Sequence, residues 1–212
     1  MFIKRPTLKK MMNAAYKTYG LYIENDGEGF RIKGAYWDLW VLKGKLPKEY
    51  KADIVGLIGD LPEIGSGGLY TKEGIQQEIP GFPCSREMAE RGGKIYQDTG
   101  VIVISPRGEA LRLMQSPETY ETMMAYNYIL EGISNAIIDS ENGETQAEGI
   151  YNPGDNMMVL KNNVMTFMTF ARNEPCLYKF KNLMENYYVP SLLNPEIEDV
   201  PEKEEDEKED EA

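Results

Sequence analysis

The sequence predicts an α+β fold in which a helix-plus-antiparallel-sheet module occurs twice and a disordered acidic C-terminal tail follows. Three observations lead there. A helical apolar stripe opens each half, and an Asn/Asp/Gly turn between short apolar runs follows each stripe. The third is charge: the last seventeen residues hold eleven acids against Lys203 and Lys208, nine of the twelve net negative charges. The boundaries expected are 1–105 for the first module, 106–195 for the second and 196–212 for the tail.

Phe2 and Ile3 begin the chain, and Pro6 and Thr7 open a helix over about residues 7–18. Leu8, Met11, Met12, Ala15 and Tyr19 form its apolar stripe, while Lys9, Lys10, Asn13 and Lys17 line the other side without an acid. Gly20 ends it. Leu21-Tyr22-Ile23 and Phe30-Arg31-Ile32 flank Asn25-Asp26-Gly27 as a hairpin. Residues 35–42 read as a third strand with bulky groups on both faces, so at least one face meets another element. Ile54, Leu57, Ile58 and Leu61 then recur at helical spacing until Pro62, with Lys48 and Lys51 near the start, where cations oppose the helix dipole. Short strands are expected at 69–71 and 75–79, a turn-rich connector at 80–93, and a β-branched strand at 101–105.

The second half reads on the same plan. A helix is expected over about 117–130, carrying Tyr120, Met123, Met124, Tyr126, Asn127 and Leu130. A hairpin of 133–139 and 145–151 around Glu141-Asn142-Gly143 follows, then a strand pair of 157–160 and 164–171 around Lys161-Asn162-Asn163, and a strand at 177–180.

Composition bounds the chemistry. The first 195 residues have 24 acids against 21 bases, so a near-neutral body can present a basic face despite the acidic total. The chain contains no histidine, which removes Ser-His-Asp and Cys-His catalysis and histidine-ligated metals. Cys84 and Cys176 stand far apart without a CxxC partner, so neither a disulfide framework nor a zinc site is indicated and a reducing interior is expected. Gly65-Ser66-Gly67-Gly68 lacks the following Lys-Ser/Thr and the spacing of a phosphate cradle. Asp53, Asp60, Asp98, Asp139 and Asp155 are scattered, in no catalytic motif. No run approaches the roughly 18 apolar residues of a spanning helix. The expectation is a non-enzymatic protein without a cofactor, intracellular and cytoplasmic, in the bacterial host cytoplasm if it is viral.

Phe2-Ile3 followed by Leu8-Lys9-Lys10-Met11-Met12 resembles the initial strand and inner helix of the DNA sliding clamps, the processivity factors of replication, in their short two-domain viral or eukaryotic form. The end of the body resembles them too: residues 164–171, 177–180 and Asn186-Tyr187-Tyr188-Val189-Pro190 are similar to the final strands and tyrosine-rich approach of proliferating cell nuclear antigen, followed by Ile197-Glu198-Asp199. Two departures stand out. The expected helix near 117–130 carries Glu118, Glu121 and Glu131 without a base, where clamp inner helices are generally basic, and residues 191–195 lengthen the approach to Ile197.

The resemblance implies a homo-oligomeric ring, expected as a homotrimer, that encircles duplex DNA without reading sequence and tethers a replicative polymerase after a clamp loader installs it. It implies DNA-facing charge from Lys9, Lys10, Lys17, Lys48 and Lys51, with Arg107 and Arg112 added, and a partner groove near Tyr188, Val189, Pro190, Leu192 and Leu193. The alternative is a single-stranded DNA binding protein, whose tyrosines and tryptophans stack on bases while an acidic tail competes for the groove. A third reading, an acidic adaptor that imitates DNA, leaves the imitation to the tail alone.

Overall fold

The computed structural model describes residues 1–76, 84–154, 156–172 and 177–189. Phe2 and Ile3 are fully buried, and Ile3 makes an antiparallel bridge to Ile133. α1 (Arg5–Lys17) begins with Pro6 in its first turn and buries Leu8, Met11, Met12 and Ala15, the stripe its spacing predicts. Gly20 stops it at φ +96°, and a Cβ there would sit 2.7 Å from the Leu69 side chain, so the position needs glycine twice over.

β1 (Leu21–Asn25) and β2 (Gly29–Lys33) form the predicted hairpin. Asp26 sets its turn by accepting from the main-chain amides of Glu28 at 2.8 Å and Gly29 at 2.6 Å, with Gly27 at φ +88°. β3 (Trp37–Leu42) is buried on both faces. Trp37, Leu39 and Val41 enter the main core, while Asp38, fully buried, is held by Arg31 at 2.6 Å and the Ser85 amide at 2.9 Å. α2 (Lys48–Ile58) buries Tyr50 and Ile54, and β4 (Ser66–Thr71) and β5 (Gly74–Gln76) complete the first half.

The second half contributes α3 (Ser85–Arg91), β6 (Lys94–Ile104), β7 (Ala110–Gln115), β8 (Thr122–Tyr126), the single-turn α4 (Asn127–Leu130), β9 (Ile150–Asn152), β10 (Met157–Lys161), β11 (Met165–Phe170) and α5 (Tyr178–Met184). All eleven strands join one antiparallel sheet in the order β5-β4-β1-β2-β3-β11-β10-β9-β6-β7-β8. This is an α+β molecule with a large antiparallel sheet, as composition and patterning imply. β3 pairs with β11, and residues 105 and 106, the expected boundary between modules, lie in the turn between the paired strands β6 and β7.

Helices cover both faces. α1, α2 and α4 share the main core with Trp37, Leu39, Met114, Ala125 and Phe167. On the opposite face α3 lays Met88 and Ala89 against Met157, Val159 and Met168, and α5 lays Phe180 and Met184, with Leu177 just before it, against Leu111, Leu113 and Met124.

Several predicted elements differ. The 117–130 helix is instead a turn, β8 and one turn of helix. Tyr120 sits at φ +59°, which no helix continues through, and residues 122–125 are buried on both sides, Met123 and Ala125 in the main core and Met124 toward α5. The 133–139/145–151 hairpin is absent: 3-10 turns at Asn135–Ile137 and Ser140–Asn142 replace it, because the Ser134 and Asp139 side chains accept from Ala136 and Asn142 amides and divert the backbone from a ladder. The strand expected at 177–180 is α5, whose apolar contacts at Leu177, Phe180 and Met184 follow a helical period. Within 80–93 a helix, α3, stands where a connector was expected, because its apolar side caps the back of β10 and β11. β7 carries no sequence signal comparable to its neighbours, and β6 begins seven residues before the expected strand. Residues 77–79, the second part of an expected strand, lie outside the described residues, as do Cys176 and the acidic tail.

Candidate nucleic-acid interface

α1 is the most one-sided element of the chain: Arg5, Lys9, Lys10 and Lys17 and no acid in thirteen residues. Its amphipathic spacing turns the apolar stripe into the core, which leaves Lys9, Lys10 and Lys17 exposed. α2 packs beside it, and the contact is charged. Asp53 of α2 accepts from Arg5 Nε at 2.6 Å and Lys9 Nζ at 2.8 Å, with its own side chain 5% exposed. The Arg5 guanidinium, and then Lys9, hold the Asp53 carboxyl down at about 2 against partial desolvation. Tyr50 of α2 donates to the Ile3 carbonyl at 2.7 Å, and burial pushes its phenol up to about 12. Lys9 is therefore partly neutralised by its neighbour. Lys10, Lys17, Lys48 and Lys51 make no ion pair among the described residues.

The predicted cations fall on three parts of the fold: α1, the start of α2, and the β6–β7 turn with β7. Lys48 and Lys51 lie in the first turn of α2, Lys48 exposed and Lys51 half-buried. Lys17 is in the last turn of α1, where it complements the helix dipole. Arg107 is exposed in the β6–β7 turn. Arg112 is 12% exposed and committed: its guanidinium reaches Asp98 at 2.9 Å, Asn127 at 2.8 Å and Glu131 at 4.0 Å.

Beside the start of α1 runs a trough that sequence reasoning missed. Its first section, an open groove of about 710 Å³, is lined by Lys4, Thr7, Lys10, Arg112, Tyr128 and Glu131 among others. Its second, of about 380 Å³, is lined by Tyr36, Glu109, Ala110, Tyr126, Asn127 and Tyr128. Tyr128 belongs to both. Lys10 Nζ lies 5.0 Å from its ring centroid, and Arg172 lies 5.0 Å from that of Tyr126. The rings of Tyr36, Tyr126 and Tyr128 sit 5.6–5.8 Å apart and tilted, with the Tyr36 and Tyr128 hydroxyls 3.0 Å apart. Burial, and then the Tyr36 hydrogen bond, raise the Tyr128 phenol far above its ordinary range. Tyr126 ends β8 and Tyr128 lies in the helical turn α4 that follows, so no strand or helix spacing in the sequence signals that the two rings meet.

Of the predicted partner-binding residues, Tyr188 and Val189 are described and half-buried. Tyr188 packs its ring 5.9 Å from that of Tyr120. Val189 donates its amide to Gln115 Oε1 at 2.7 Å and accepts from Gln97 at 3.2 Å. Gln115, fully buried in β7, also donates to the carbonyls of Met184 and Tyr187, so one side chain pins the whole approach. Pro190, Leu192 and Leu193 lie outside the described residues.

No family model matches the chain, and no curated protein matches it. Among solved structures, the β chain of DNA polymerase III from Streptococcus pneumoniae TIGR4 aligns with 84% of this chain at 10% identity and a TM-score of 0.33. The alignment spans 66% of that protein, and a score this low carries no weight for activity. Among the described residues no group of three or more His, Cys, Asp or Glu is placed to hold a metal, and no helix is long and apolar enough to cross a membrane.

Proposed function

We propose that this protein is a DNA sliding clamp, a non-enzymatic ring that encircles duplex DNA and tethers a replicative polymerase. The composition of α1 carries the reading: four cations and no acid on a core-anchored helix, in a chain of net charge −12. With α2 beside it, Lys10, Lys17, Lys48 and Lys51 offer phosphates exposed or half-exposed ammonium groups that pair with no carboxylate among the described residues. Phosphate contacts of this kind hold without reading bases, and encirclement supplies the persistence that loose contacts lack.

In this reading residues 1–105 and 106–195 serve as two modules of a ring segment, the ring is a homotrimer, and a loader places it on DNA. Arg107 and the region of Tyr188, Val189, Pro190, Leu192 and Leu193 supply a further phosphate contact and a polymerase peptide groove. Ring closure needs open strand edges, and two are exposed. β5 is one of the two outermost strands and is solvent-exposed along its length among the described residues. β6 pairs with β9 only through residues 94–96, which leaves 101–104 open on that side among the described residues.

Sedimentation of the 24.1 kDa chain tests the ring directly. The expected species is a closed trimer, with weak, salt-sensitive binding to linear duplex. Replacing Lys17, Lys48 and Lys51 together by Ala is expected to flatten the slope of log affinity against log salt by roughly 2–3, at about 0.9 per lost phosphate contact. A monomer at high concentration without duplex affinity would end the reading.

A further inference from the structure

The trough between α1 and β7–β8 has the chemistry of a nucleotide site that adjoins the duplex-facing helix surface and shares only Lys10 with it. Its α1 side presents Lys4 and Lys10, neither in an ion pair among the described residues, beside the first turn of α1, where amide groups point outward. Its far wall is aromatic, with Tyr126 tilted against both Tyr36 and Tyr128 so that it lies face to face with neither. Acids are present too, but Glu109 is tied to Arg172 at 3.5 Å and Glu131 approaches Arg112; Lys4 Nζ donates to the Glu131 carbonyl at 2.8 Å and Lys10 rests on the Tyr128 ring, so both lysines keep their charge with no carboxylate partner among the described residues. A ligand that matches both walls carries an anion and a flat ring on neighbouring positions.

We propose that this trough binds single-stranded nucleic acid, with backbone phosphate on Lys4 and Lys10 and a base against Tyr128 and Tyr126. Lys10 links the two halves of the site. In the free protein its ammonium rests 5.0 Å from the Tyr128 ring centroid. A phosphate draws it off that face, and the face it leaves becomes available for stacking. Anion binding and base stacking are thereby coupled through one side chain. Both sections fall within the roughly 300–1,000 Å³ that small-ligand sites occupy.

The site goes beyond the duplex reading and fails separately from it. The experiment measures binding of the full chain to a ten-residue oligothymidylate, to an abasic strand of the same length, to duplex, and to an acidic peptide of equal charge. The oligothymidylate should bind tightest of the four. Tyr126→Leu should weaken oligothymidylate binding about ten-fold, the scale of one lost base stack, and leave the abasic strand unchanged, with Tyr126→Phe restoring it. Lys4→Ala should weaken both single strands, whereas Lys48→Ala should weaken duplex alone. Photocrosslinking of the wild-type chain to the oligothymidylate, mapped by mass spectrometry, should label Tyr36, Tyr126 or Tyr128, and it decides the matter if Tyr126→Leu does not fold. Equal affinity for abasic strand and oligothymidylate, equal affinity for the acidic peptide, or labelling elsewhere would overturn the proposal and leave the sedimentation result untouched.

Discussion

Asp53 shows how one acid in a basic neighbourhood serves the fold. Its carboxylate pairs with both Arg5 and Lys9, so the two adjacent helices meet through an attractive charged contact. Because its folded pKa is depressed to about 2 from 3.8, the stabilisation it confers is complete above pH 4 and is lost as pH falls through about 2. Arg5 and Lys9 are 45% and 53% exposed, so solvent screens the network and Asp53→Asn should cost only about 1 kcal/mol near neutrality. Urea unfolding should show that difference at pH 7 and lose it near pH 2. Tyr50→Phe removes the bond to the Ile3 carbonyl inside the core and should cost about 1 kcal/mol by the same measurement. Gly20→Ala forces a Cβ into the left-handed region against Leu69 and should cost more than about 1 kcal/mol.

At the level of elements, α5 and the residues after it depend on Gln115. Its amide donates to Tyr120, Met184 and Tyr187 and accepts from Val189, all from one buried side chain. Gln115→Leu keeps the volume and removes every bond. Hydrogen exchange should then show residues 184–189 losing protection while β7 and β8 keep theirs. The open part of β6 makes a second prediction. Ile102 and Ile104 are 48% and 62% exposed beside an edge with no strand partner among the described residues, an arrangement that templates pairing with another chain. Ile104→Lys should shift any oligomer seen in sedimentation toward monomer without lowering thermal stability. If the assembly persists unchanged, that edge is not its interface.

For the whole molecule, charge is divided along the chain. Residues 196–212 carry net −9 and the remainder net −3, so the body's cations work against a local excess of acid. A chain ending at Pro195 should bind duplex more tightly than the full chain at low salt, with the gap closing as salt screens the tail. Equal affinity at every salt would show that the tail does not compete for the basic helices.

The first half was legible because its signals are local. The α1 stripe, the Asn25-Asp26-Gly27 turn and the stop at Gly20 each depend on residues within a few positions of one another, and each element formed where those residues place it. The amino-acid sequence alone also determined the acidic tail, the absence of histidine chemistry and the one-sided charge of α1. The strand pair around Lys161-Asn162-Asn163 was legible on the same local grounds, but only the tertiary structure decided the rest of the second half. Residues 122–126 are apolar on both sides because α5 and the main core sandwich them, and burial of that kind erases the period that separates strand from helix. It also decided where the tyrosines meet. Tyr36 and Tyr128 are ninety-two positions apart, and no local spacing anticipates two hydroxyls 3.0 Å from each other.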